Sequence, residues 1–217
     1  MVTALPYSGS YATRKCAKLT KTLMSITIAR IVGSNSHIDY IGRVIDTLDV
    51  ETPPTKDDFG FAQFVQMDSI VGVIYDSKLI NPEYASFGPR LSPRPALGSF
   101  SPDYINEQGI LLGILLLGTI DGDGLVEHGV PRSIIPPGQE IVKLDYMSSK
   151  RFHAKGGSTV HLGYYPQVIA HAGEFAVPLL SAIIDGLCTD CSEIDRERLR
   201  VLKHSLQWQR TIGGMKL

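Results

Sequence analysis

The sequence predicts a mainly β chain, a barrel or sandwich of short strands followed by a C-terminal pair of α-helices. Three observations carry that expectation. Apolar, β-branched runs of strand length recur between turn residues from position 38 to about 145. The 21 Gly and 13 Pro break the chain too often for long helices over most of its length. After about residue 170 the apolar pattern changes to the spacing of an amphipathic helix. A chain of 217 residues buries roughly 70% of its unfolded surface, so a core forms without disulfide staples.

Taken in order, residues 1–23 read as a flexible leader. They carry Arg14, Lys15, Lys18 and Lys21, no acid occurs before Asp39, and Ser, Thr and Ala are frequent, so an organelle transit peptide is the other reading. Met24 opens the β-type run MSITIARIVG. Further strands are expected at 40–47, 59–67, 69–76, 109–120 and 140–144. The longest apolar stretch, 110–120, is well short of the ~20 residues of a spanning helix and contains Gly113 and Gly118; it reads as one or two buried strands at the centre of the core, not membrane. Asp121-Gly122-Asp123-Gly124 forms a tight turn after it. Pro136-Pro137-Gly138 fits a type II turn with Gly138 at positive φ, launching the last strand. The segment 81–102 holds Pro82, Pro89, Pro93, Pro95 and Pro102, which excludes helix or central strand and marks a candidate binding loop.

The first C-terminal helix is expected to start near Pro178, tolerated in a first turn, and to end at Asp185-Gly186. Ser192 is placed to cap a second helix, with Glu193 and Asp195 at the positive end of its dipole. That helix runs to about Arg210, before Gly213-Gly214. Ile194, Val201 and Trp208 share one line along it, and Leu199, Leu202 and Leu206 share an adjacent one. Together they predict a broad apolar face that docks on the barrel or on another subunit, and these six are the candidate interface residues. The expected organisation is a leader (1–23), a barrel domain (24–165, core about 38–145) and a helical appendage (166–217).

The chemistry-bearing patterns exclude more than they propose. With 21 Lys+Arg against 22 Asp+Glu the formal charge is −1, so no basic field exists to coat nucleic acid. Three Cys, an odd number, make no disulfide framework and point to a reducing, cytoplasmic compartment. The phosphate-cradling G-x-x-x-x-G-K-[ST] pattern is absent, as are H-E-x-x-H, G-x-S-x-G and a strand-to-helix G-x-G-x-x-G. Cys188-Thr189-Asp190-Cys191 is a lone C-x-x-C with no second pair to complete a zinc set, and it reads as a helix–helix corner. A metal or redox site would draw on His153, His161, Cys188 and Cys191. Asp121, Asp123 and Glu127 do not follow the EF-hand order and read as hairpin residues. No catalytic residue, cofactor or metal is expected.

Ile41-Gly42-Arg43-Val44, the pair around 64–75 with Ile70-Val71-Gly72-Val73-Ile74, the run 109–120, and Ile135-Pro136-Pro137-Gly138-Gln139-Glu140-Ile141 resemble the HerA/ATP-synthase barrel, or HAS-barrel, family. The resemblance spans about half the chain, and its most specific piece is the Pro-Pro-Gly turn. It implies a small closed Greek-key-like barrel. In that family such barrels sit at the N-terminus of DNA-translocating ATPases and rotary ATP-synthase subunits, packing side by side as a crown. Here no P-loop domain follows His161-Leu162-Gly163-Tyr164, so neither hydrolysis nor translocation carries over. The resemblance therefore implies a non-catalytic assembly module that forms a homo-oligomer, or an accessory subunit of a separate HerA-like P-loop ATPase.

Overall fold

Six antiparallel strands close on one another. β1 (Thr27–Ser34) pairs with β2 (Asp39–Val44), β2 with β5 (Gly109–Ile120), β5 with β4 (Ile70–Ile80), β4 with β3 (Phe64–Met67), β3 with β7 (Glu140–Lys143), and β7 returns to β1. The structure, a computed structural model, describes residues 26–47, 49–80, 109–155 and 159–213. The leader, with Cys16, and the Pro-rich segment 81–102 lie outside the described residues. Strands β3, β4 and β5 form a meander whose last strand lies beside β2, which is a Greek key. The connection from β2 to β3 is tied down by Asp58, whose carboxylate takes the Thr55 hydroxyl (2.7 Å) and the Lys143 ammonium of β7 (2.9 Å).

The barrel closes because its long strands bend. The β4–β5 register shifts between Val71 and Gly72 and again between Ile74 and Asp76, and β1 shifts against β2 between Ile31 and Gly33. Such bulges increase local twist and let a small sheet curl onto itself. Inside, Val65, Ile114 and Ile141 are completely buried. On β5, Leu115 and Leu117 on the opposite face are buried too, because the helical layer lies there and Gln167 donates its side-chain amide to the Leu116 carbonyl. This double burial explains why the run 109–120 is apolar without alternation.

The turns form as expected. Gly124 takes φ +79° and its N–H donates to the Asp121 carbonyl (2.7 Å). Gly138 takes φ +82° while the Gln139 N–H reaches the Pro136 carbonyl (3.3 Å), the pattern of a type II turn.

Several boundaries differ from the sequence expectation. The barrel needs β1, so its core begins at Thr27 and not near 38. Strand 59–67 shrinks to Phe64–Met67 because Ala62, at φ +66°, turns the chain before it. A short β6 (Val126–His128) adds to the end of β5. Instead of a helix pair alone, the described residues contain four α-helices: α1 (Tyr146–His153), α2 (Tyr165–His171), α3 (Ala176–Cys188) and α4 (Glu193–Gly213). Asp145 caps α1, accepting from the Met147 (2.9 Å) and Ser148 (3.0 Å) N–H groups, and a two-stranded hairpin, β8 (Ala154–Lys155) and β9 (Thr159–Val160), follows it. α3 continues through Asp185-Gly186 to Cys188, because Leu187 and Cys188 still pack on the core and offset the ~1 kcal/mol cost of a helical glycine. Ser192 caps α4, its hydroxyl taking the Asp195 N–H at 3.2 Å. No helix among the described residues is long and apolar enough to cross a membrane.

Candidate functional site

Gly118 begins the construction of the site. A Cβ there would collide with the Glu127 carbonyl, so only glycine lets β6 lie against β5 and deliver His128 inward. His128 then spans two elements. Its Nδ1 accepts the Gly163 N–H (3.0 Å), which leaves Nε2 as the protonated nitrogen, donating to the Phe152 carbonyl (2.8 Å). His161 stacks on it with ring centroids 5.0 Å apart and planes 10° from parallel.

His153, at the last turn of α1, is 1% exposed. The Ser149 carbonyl can only accept, so Nδ1–H donates to it (2.7 Å), and Nε2 accepts the Tyr164 hydroxyl (2.7 Å). Burial, with a smaller contribution from nearby His128, pushes the His153 pKa down to about 4, so the ring is neutral at pH 7. Tyr164 is fully buried, and that burial pushes its phenol well above the usual range. The pair locks α1 to the start of α2.

Beside this cluster a cleft of about 320 Å³ separates the barrel from the helical layer. Phe64 and Ala62 lie on the barrel side, Ala182, Ile183 and Leu187 of α3 form the facing wall, and α1 with the β8–β9 hairpin completes it. Across it, Tyr146 and Lys150, one helical turn apart on α1, both reach Asp190 in the α3–α4 corner. The Tyr146 hydroxyl donates to the carboxylate and the Lys150 ammonium lies at 3.6 Å. These partners, Tyr146 foremost, hold the Asp190 carboxyl below its usual range.

The sequence candidates divide between these features. His153 and Cys191 line the same cleft, whereas His161 belongs to the ring stack with His128. Cys188 and Cys191 flank the α3–α4 corner as free thiols, and burial, then the neighbouring Cys191, pushes the Cys188 thiol up, away from the reactive thiolate. Among the described residues no cluster of three or more His, Cys, Asp or Glu is arranged to hold a metal ion. Asp121, Asp123 and Glu127 are exposed hairpin residues.

The two apolar lines of α4 do not form one face. Leu199 and Leu206 are buried and Leu202 is half-buried against the helical layer, while Ile194, Val201 and Trp208 are 69%, 71% and 63% exposed on the opposite side. The reason is angular: at 100° per residue Val201 lies about 160° from Leu199 around the axis, so the lines diverge across the helix. Sequence reasoning missed His128, Tyr164 and the Tyr146/Lys150–Asp190 clasp. Asp145 ahead of a segment with Tyr146 and Lys150 at i, i+4 spacing was the available signal for α1.

The chain belongs to a family described as a domain of unknown function (DUF8166), whose model matches residues 13–216. No curated protein matches the chain.

Proposed function

We propose that the protein is a non-catalytic docking module that pairs with a second copy of itself through the outward side of α4. The observation that carries this is the exposed line Ile194, Val201 and Trp208. Val201 is the midpoint of that line, so two antiparallel α4 helices related by a two-fold axis at Val201 place each Trp208 against the partner's Ile194 and each Glu197 near the partner's His204. The apolar line is thus self-complementary, as an isologous interface requires. A buried aromatic anchor beside aliphatics is the composition on which such interfaces depend. The closed barrel and its HAS-barrel resemblance agree with an assembly role. His153, neutral and with both ring nitrogens engaged, supports a structural over a catalytic part. The odd cysteine number supports a cytoplasmic setting.

Val201→Glu tests the interface. Burying two valines that are 71% exposed contributes about 3 kcal/mol per dimer, so the substitution weakens pairing more than ~100-fold while the circular dichroism spectrum stays unchanged. Equal native mass for Val201→Glu and wild type contradicts the assignment. A monomeric wild type that co-purifies with a P-loop ATPase transfers the surface to that partner.

A further inference from the structure

We propose that the cleft between barrel and helical layer is a binding site for a small, uncharged, largely apolar molecule. Its volume, about 320 Å³, is in the range of small-ligand sites, and it lies at the junction of two layers where such sites recur. Its lining is mostly apolar, with Phe64, Val160, Ile183 and Leu187 contributing from three directions.

Gly186 supplies an independent observation. It stands within α3 on the cleft wall, its backbone is not in the left-handed region, and a Cβ there would meet nothing within 4 Å. Neither packing nor backbone geometry therefore requires glycine, although a helical glycine costs about 1 kcal/mol relative to alanine. Gly186 is itself exposed at the edge of the cleft, so a larger side chain at this position would narrow its entrance.

The charges on the wall decide the class of ligand. Lys150 is paired with Asp190, which also takes the Tyr146 hydroxyl. Asp195 is buried and takes the Ser192 hydroxyl (2.8 Å), with the Arg198 guanidinium 3.9 Å away. His153 is held neutral with both nitrogens engaged. A charged ligand would have to break one of these pairs, the more than half-exposed Lys150–Asp190 pair at small cost, or enter without a counter-charge. An uncharged ring or short chain needs neither, and the Ser149 and Thr159 hydroxyls and the Cys191 thiol remain as weak polar contacts for orientation.

N-phenyl-1-naphthylamine, uncharged and fluorescent in apolar surroundings, tests this on the full chain. The expected result is saturable single-site enhancement that Gly186→Leu weakens at least tenfold while leaving the thermal midpoint equal or higher, since leucine is the better helix former. Amide NMR shifts induced by the probe in wild-type protein should centre on Phe64, Lys150, Val160 and Leu187, a readout independent of any variant. Absence of saturable binding, unchanged affinity in Gly186→Leu, or shifts centred away from the cleft overturns the site. The sulfonated relative 1-anilinonaphthalene-8-sulfonate should bind at least tenfold more weakly; equal or tighter, salt-sensitive binding overturns the uncharged class.

Discussion

Acidification from pH 7 to pH 4 should unload a defined amount of stability through one side chain, His153. In the unfolded chain its imidazole titrates at the ordinary value of 6.5, whereas in the folded protein burial lowers it to about 4. Above pH 6.5 both states hold the ring neutral, and its contribution does not vary with pH. Between 6.5 and 4 the unfolded state takes up a proton that the folded state refuses, so stability falls as pH falls, and below about 4 the effect levels off. A difference of about 2.5 pH units corresponds to roughly 3 kcal/mol, a large share of the 5–15 kcal/mol typical of a domain. Urea unfolding followed by circular dichroism at half-unit pH intervals measures this. His153→Gln should show a much flatter profile across that window. A wild-type His153 ring that titrates near 6.5 by NMR, or a His153→Gln profile with the wild-type slope, contradicts this role for His153.

Other outcomes follow from neighbouring contacts. Tyr164→Phe leaves the buried Nε2 of His153 without its donor, costing about 1–3 kcal/mol in urea unfolding, and should raise the His153 pKa, because the nitrogen no longer accepts a bond that only its neutral form can make. Gly118→Ala drives a methyl group into the Glu127 carbonyl; a loss of about 3 kcal/mol and loss of hydrogen-exchange protection along β6 are expected, since backbone cannot swing aside as a side chain can. The Asp58 carboxyl is lowered to about 2, foremost by its hydrogen bond with Lys143, so its contribution is present above pH 3.8 and lost as pH falls toward 2. Asp58→Asn should therefore flatten the acid limb below pH 4 while leaving the His153 window unchanged.

The barrel was legible because its signals are local. Gly109–Ile120, expected as one or two strands, is a single one, and Pro136-Pro137-Gly138 forms the turn it encodes. The α3–α4 corner at Cys188–Cys191 and the Ser192 cap were legible for the same reason. What the sequence concealed depends on distant residues. β6 is three residues long and exists through its pairing with β5, and α1 and α2 are too short for periodicity to mark them. His128, His153 and Tyr164 are scattered over 37 positions, and only closure of the barrel and folding of the helices over it bring them together. The six apolar residues of α4 were visible as a set. Their division into a buried line and an exposed one was not, because α3 covers only one side of the helix.

Native mass by light scattering after size exclusion, over a hundredfold range of concentration, tests the central claim most directly. A discrete species of twice 23.7 kDa is expected, and Val201→Glu should convert it to single chains. A wild-type protein that remains a 23.7 kDa monomer at every concentration contradicts it.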